Sequence, residues 1–358
     1  MLSSLWNNFA CCWVAPLDAK VTKTINFVLN LVKKILNIII KSILPVLLGA
    51  VILYWIYAEF DFAQVSKAFA EMNFFWFTVS LLFGVFSHVL RGWRWVLALE
   101  PLGYYPRHDN CVYSIFIAYA ANLLLPRVGE VSRCVVLDRY DDVPFAQSFG
   151  TVVTERLIDT VMVVLITLVA VLLQWQVFCL FIADAGGLKF ALPASTGGSV
   201  VMSLSLLAIA FLLFFLARKM SLWAKMKSFF ARFVEGMTSI ARMKKRGLFV
   251  VETIGIWFCY FMQFYLCFFC FDFSCSLSVL AGLLLFVAGS IAVVVPTPNG
   301  AGPWHFAIIS IMVIYGLSTT DASLFALIVH STQTLLVALL GVFGIVMLQI
   351  KNCITTKK

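Results

Sequence analysis

The sequence predicts an all-α, polytopic membrane protein, and three observations carry that prediction. Apolar residues fill 62% of the 358 positions and charged residues only 12%, with a mean hydropathy of +1.00; soluble domains run at about 45–50% and about 25%. Several apolar runs reach the ~20 residues that cross a hydrocarbon core as a helix. Those runs are continuous rather than alternating, which excludes a transmembrane barrel. The 26 basic side chains exceed the 17 acidic ones by nine. In such a chain the surplus reads as positive-inside bias and contact with an anionic leaflet, so no nucleic-acid partner is expected.

The first element is a cytoplasmic N-terminal segment, residues 1–41. It has no signal-peptide pattern up to Pro16, and over 21–41 its polar residues (Lys23, Asn26, Asn30, Lys33, Lys34, Asn37, Lys41) draw one stripe on a helix. That spacing predicts an amphipathic helix lying in the membrane interface. A transmembrane domain follows over 42–350, with spans near 43–58, 74–97, 149–173, 200–216, 249–271, 279–295 and 323–349. Shorter apolar segments lie at 111–125 and 304–317. The total is about eight spans plus one or two re-entrant or broken helices. Between two spans, residues 218–247 hold nine basic residues against the single acidic Glu235, with apolar residues at helical spacing. This segment reads as cytoplasmic and resting on anionic lipid, and residues 351–358 as a cytoplasmic tail.

Charge parity then tests the segment 111–125. If it crossed fully, the two basic segments would lie on opposite sides of the membrane, against the positive-inside rule. A re-entrant turn at Pro126-Arg127-Val128-Gly129-Glu130 removes the conflict. A second break, Pro296-Thr297-Pro298-Asn299-Gly300-Ala301-Gly302-Pro303, pairs 279–295 with 304–317 as a hairpin from the opposite face. Two Pro/Gly-broken segments, one in each half, are the sequence pattern of a transporter with discontinuous helices. The plainer reading of either break alone is an ordinary loop.

Charges inside apolar spans cost about 2.5–3.5 kcal/mol each on insertion scales and so mark candidate sites. Asn122, Pro126, Arg127, Gly129, Glu130 and Arg133 surround the first break, where guanidinium groups and freed amides suit a phosphate or, equally, a structural Arg–Glu pair. Glu155 and Asp159 share a helix face and Arg156 is spaced to bridge to Asp159; a proton relay, pairing with the arginines of the first break, and a helix-end ion pair all fit. His88, Arg91 and Arg94 recur every three residues beside Trp93 and Trp95, which fits interfacial anchoring or headgroup contact. His305 lies at the second break (Pro296, Pro298, Asn299, Gly300, Gly302), and His330 with Thr332 and Gln333 lies in the last span. The Cys267-x-x-Cys270 pair has no second pair beside it and reads as apolar packing. The chain carries no G-x-S-x-G, P-loop, dinucleotide fingerprint or metal-ligand cluster, so no catalytic residue, metal or cofactor is expected.

In order along the chain, Asn122-x-x-x-Pro126-Arg127-x-Gly129-Glu130-x-x-Arg133, Glu155-Arg156-x-x-Asp159 and Pro296-Thr297-Pro298-Asn299-Gly300-Ala301-Gly302 resemble the transmembrane, flippase-like domain of lysylphosphatidylglycerol synthases. The resemblance spans about 44–349. It implies a multi-pass protein of the cell inner membrane that moves lipids between leaflets, as a free-standing member without the aminoacyl-transfer domain. It also implies departures: relatives often carry Gly-Gly and a following Glu where this chain has Asn299-Gly300 and His305, and many carry an Arg near the place of His330. The lysyl lipid is therefore not carried over as substrate. The expected function is translocation of a phospholipid, aminolipid or polyprenyl-phosphate-linked amphiphile. Arg127 and Arg133 would hold the head, with Asn122, Gly129, Glu130, Arg91 and Arg94 around it, and Glu155, Arg156, Asp159, His305 and His330 pairing or relaying charge. The rivals are a membrane-embedded transferase using Glu155 or Asp159 as general base and a non-catalytic subunit of a lipid synthase. The expected partners are membrane lipids; a lipid-synthesis enzyme and a second copy of the chain stay open.

Overall fold

A computed structural model describes residues 46–356 except 59, 62, 125–127, 178–179, 181–242 and 296. The interfacial helix expected over 21–41, the span at 200–216, most of the basic segment 218–247, and Pro126, Arg127 and Pro296 lie outside the described residues. The described residues form helices and no strands: α1 (Val46–Tyr57), α2 (Ala63–Glu71), α3 (Phe74–Leu99), α4 (His108–Leu124), α5 (Val128–Asp141), α6 (Phe145–Leu173), α7 (Arg246–Tyr265), α8 (Val279–Ala292), α9 (Pro303–Ile314) and α10 (Thr319–Thr356). Short 3-10 turns extend α3 and α7, and among the described residues four stretches are long and apolar enough to cross a membrane: Phe74–Leu102, Phe145–Leu173, Arg246–Cys270 and Thr319–Lys351.

Helices α3 and α7 pack antiparallel along their length. At one end the Asn73 amide donates to the Cys270 carbonyl (2.9 Å), and at the other Lys245 Nζ meets Glu100 Oε1 (2.7 Å). The hydrogen bond to Glu100 holds the Lys245 ammonium above its ordinary pKa. Asn73 also caps α3, its side chain accepting from the Phe75 and Trp76 amides, which would otherwise lack acceptors in the first turn.

The α4–α5 pair is a closed hairpin that leaves and returns at the Glu100 end of the bundle. Its base is tied by Asp141, which accepts from Asn110 Nδ2 (2.8 Å) and pairs with Arg107 (3.2 Å). Near its tip the Gly129 amide donates to Asn122 Oδ1 (2.7 Å), and a Cβ on Gly129 would stand 2.1 Å from the Ala118 carbonyl oxygen. Only glycine allows that approach. A second hairpin, α8–α9, has its base at the Cys270 end. Its turn includes Asn299 at φ 52° and Gly302 at φ 91°, the region of backbone space that glycine and asparagine occupy most readily. The two hairpins therefore enter from opposite ends, and α4 packs against the 3-10 turn Pro298–Gly300 between α8 and α9. Helix α10 runs past both. A Cβ on its Gly341 would lie 2.2 Å from Ala120 Cβ, the close small-residue contact that draws membrane helices together, and its Lys351 pairs with Asp109 at the base of the first hairpin.

Two helices, α2 and α5, lie outside the apolar runs read from the sequence. A hydropathy window passes over α5 because its composition is polar, but its buried positions Gly129, Arg133 and Leu137 recur every four residues. That stripe is a helical signal in its own right.

Candidate functional site

Beside the first hairpin, α3, α5, α6 and α7 bring together a network of buried charge. Arg91, Arg94, Arg133, Glu155 and Asp159 are each no more than 7% exposed. Asp159 accepts from Arg91 Nη2 (2.8 Å) and Arg94 Nη2 (3.0 Å); Glu155 meets Arg133 Nη2 (2.7 Å) and Arg94 Nε (3.6 Å). The third fork of Arg94 donates to Thr253 Oγ1 (3.3 Å). Arg133 also stacks on the Trp95 ring (4.5 Å), whose Nε1–H donates to Thr151 Oγ1 (2.9 Å). At the rim Arg156 joins Glu130 (3.2 Å) to Asp159 (3.8 Å). The spacing of the α6 triplet thus does what its periodicity allows. Glu155 and Asp159, one turn apart, each collect two arginines from other helices.

This placement revises the anchoring reading of α3. Arg91 and Arg94 do not snorkel to an interface; both point into the bundle and are held by Asp159. Arg133 is enclosed by Glu155 and Trp95, while Glu130 pairs with Arg156 rather than with Arg133. The histidines expected near the second break do come together. The His305 and His330 rings lie 4.5 Å apart, His330 Nε2 is 3.1 Å from the Asn299 carbonyl, and the Gly302 amide donates to His305 Nδ1 (3.4 Å). Asn299 Nδ2 donates to Thr334 Oγ1 (2.8 Å), so α10 holds the turn through two side chains.

Between the charge network and the second hairpin lies a cavity of about 460 Å³. Its charged lining is Arg91, Arg156 and Asp159; its uncharged polar lining is Thr160, Gln263, Ser290 and Gln333; Tyr119, Tyr260, Trp257 and Trp304 supply aromatic walls. Arg91 is only half used. Nη2 is committed to Asp159, whereas the buried Nε and Nη1 have no hydrogen-bond partner among the described residues, and its guanidinium sits 5.8 Å from both the Tyr119 and Tyr260 rings. Those two tyrosines join α4 to α7 through their hydroxyls (2.9 Å). An apolar groove of about 670 Å³ occupies the opposite face of α8, lined by Thr167 and Val171 of α6 and by Val287, Ile291 and Val295. Arg156, Thr160, Val163, Thr167 and Val171 form one helical stripe of α6, whose first three members line the polar cavity and whose last two line the groove.

The α7 side of the site was not singled out from sequence. Glu252, 8% exposed and interacting with Arg94, and Thr253, Trp257, Tyr260 and Gln263 all belong to it. Their signal was present: within an apolar run, Thr253, Trp257, Tyr260 and Gln263 recur every three or four residues as a polar and aromatic stripe.

Residues 42–341 match the family model for the lysylphosphatidylglycerol synthase TM region. The chain belongs to that family. Among curated proteins, the UPF0104 membrane protein MJ1595 of Methanocaldococcus jannaschii is 23% identical over 133 residues, 36% of this chain and 40% of that protein. The chain thus aligns with under half the length of that relative. No solved structure matches. The family domain covers every element that builds the cavity, from α3 to the part of α10 bearing Gln333. Family membership is consistent with a lipid-related membrane function.

Proposed function

We propose that this protein translocates a phosphate-bearing lipid between leaflets, with the phosphate against Arg91 in the polar cavity and the chain in the apolar groove across α8. The observation that carries the reading is the half-used Arg91: a buried guanidinium with two free nitrogens is costly unless an anion completes it. The cavity and the groove approach each other at the C-terminal end of α8, where Val293 lines one and Ala292 and Val295 the other. A lipid can keep its head on one side and its chain on the other there. In this reading the opposed hairpins are re-entrant, and their meeting point near mid-depth is where the head changes access. The end bearing Lys245 and Lys351 faces the cytoplasm, in keeping with the basic residues of 218–247. A transferase using Glu155 or Asp159 as general base gains no support, since Asp159 accepts from two guanidinium groups and Glu155 is ion-paired with two.

The test is leaflet exchange of fluorescent phospholipids in proteoliposomes, read by dithionite quenching. The expected result is exchange above protein-free vesicles, lost in Arg91→Gln at equal incorporation. Exchange no faster than in empty vesicles for every phosphate-bearing lipid tried would overturn the proposal.

A further inference from the structure

We infer that the polar cavity selects a phosphodiester whose head is uncharged and hydroxyl-bearing, a polyol or glycosyl group, against a cationic aminoacyl or ethanolamine head. This deepens the reading above and rests on the head residing in that cavity.

Three features of the lining point the same way. The charged groups of the cavity, Arg91, Arg156 and Asp159, stand at one end and sum to a single positive charge, which matches the one negative charge of a phosphodiester. The polar side chains elsewhere in the lining carry no charge. Gln263, Gln333, Ser290 and Thr160 offer amide and hydroxyl donors and acceptors, the set that pairs with hydroxyl groups. An ammonium would find no free carboxylate, since Asp159 already accepts from Arg91 and Arg94. Nor would it find the nearest aromatic faces free. Tyr119 and Tyr260 already lie against the Arg91 guanidinium, so a second cation there would meet like charge. Trp257 and Trp304 complete the walls, each about nine-tenths buried and offering the cavity a small apolar portion of its ring. The cavity volume, about 460 Å³, falls within the usual range of about 300–1,000 Å³ for small-molecule sites.

Two lipid sources share this chemistry, diacyl phospholipids with glycerol or inositol heads and polyprenyl-phosphate sugars. The experiment uses purified full-length protein in detergent and follows tryptophan fluorescence during titration with four short-chain probes: phosphatidylglycerol, phosphatidylethanolamine, lysylphosphatidylglycerol and a polyprenyl-phosphate hexose. Phosphatidylglycerol or the hexose lipid should bind roughly tenfold or more tightly than either cationic-headed probe, because each unmatched buried polar group costs at least a hydrogen bond. Which of the two neutral-headed probes binds more tightly names the source. Gln333→Leu should erase most of that preference, and Gln333→Glu should raise affinity for the lysyl probe by supplying the missing carboxylate. Equal or tighter binding of the cationic probes by the unmodified protein overturns this inference while leaving translocation intact. Absence of leaflet exchange together with the expected selectivity overturns translocation and keeps the cavity's specificity. Binding of all four probes unchanged in Arg91→Gln overturns the cavity as the head site.

Discussion

Replacing Asp159 by Asn tests whether the buried network holds the bundle together. The side chain keeps its size and loses its charge. In the native arrangement Asp159 accepts from Arg91 at 2.8 Å and Arg94 at 3.0 Å, with Arg156 at 3.8 Å. Glu130, Glu155 and Asp159 pair with Arg91, Arg94, Arg133 and Arg156, and the substitution removes one of these carboxylates, leaving one more positive charge uncompensated. An asparagine oxygen can still accept from one guanidinium, but its NH2 then faces the other donor to donor. Hydrogen bonds to charged groups contribute about 1.5–3 kcal/mol each, and breaking a buried ion pair costs about 3–5 kcal/mol. The expected loss is therefore about 3–5 kcal/mol, a large part of the ~5–15 kcal/mol by which proteins exceed their unfolded states. Equilibrium unfolding in mixed micelles, followed by tryptophan fluorescence, measures it. The control is Glu71→Gln, which removes an exposed partner 3.9 Å from Lys67 and should leave stability close to unchanged. A loss below about 1 kcal/mol for Asp159→Asn would place the pair among surface ion pairs and mean that the network does not hold the bundle together.

Other substitutions separate packing from charge. Gly129→Ala drives a Cβ to 2.1 Å from the Ala118 carbonyl oxygen and should abolish a monodisperse peak in detergent chromatography, whereas Asn122→Ala, which loses the 2.7 Å bond to the Gly129 amide, should cost about 0.5–2 kcal/mol. Gly341→Ala brings its Cβ to 2.2 Å from Ala120 Cβ and should lower the unfolding temperature, with Ala120→Gly in the same chain restoring most of the loss; no restoration would mean that α4 and α10 do not meet there. Arg94→Lys should destabilise nearly as much as Arg94→Gln, because one ammonium cannot span Asp159, Glu155 and Thr253 as the guanidinium fork does. His330→Phe with Thr334→Val should speed amide exchange at 297–302, since these side chains hold Asn299; an unchanged exchange rate would count against that role.

Local pattern in the sequence was enough for the membrane class, the long helices, both chain breaks and the family. Continuous apolar runs and Pro/Gly punctuation act within one or two turns, and a window reads them directly. The ends of α3, α6 and α8 fall within about four residues of where hydropathy places them. Helices α4 and α5 form a hairpin whose base Asp141 ties to Asn110 and Arg107, pairings that lie more than thirty positions apart and outside the reach of a window. Helix α5 escaped because it is polar on average and buries one narrow stripe that includes an arginine. Partnership was decided only by the tertiary structure. Arg91 and Asp159 are 68 positions apart and Arg94 and Thr253 159 apart, and nothing within a helical period relates them. An arginine near the end of an apolar helix looks the same in sequence whether it reaches for an interface or for a buried carboxylate. Packing of α3 against α6 and α7 makes the choice, because in the bundle interior a guanidinium without a partner costs more than the pairing does. The cavity has the same origin. Its walls come from α3, α4, α6, α7, α8, α9 and α10, one to four residues from each, and only the meeting of two opposed hairpins beside the charge network makes them one site.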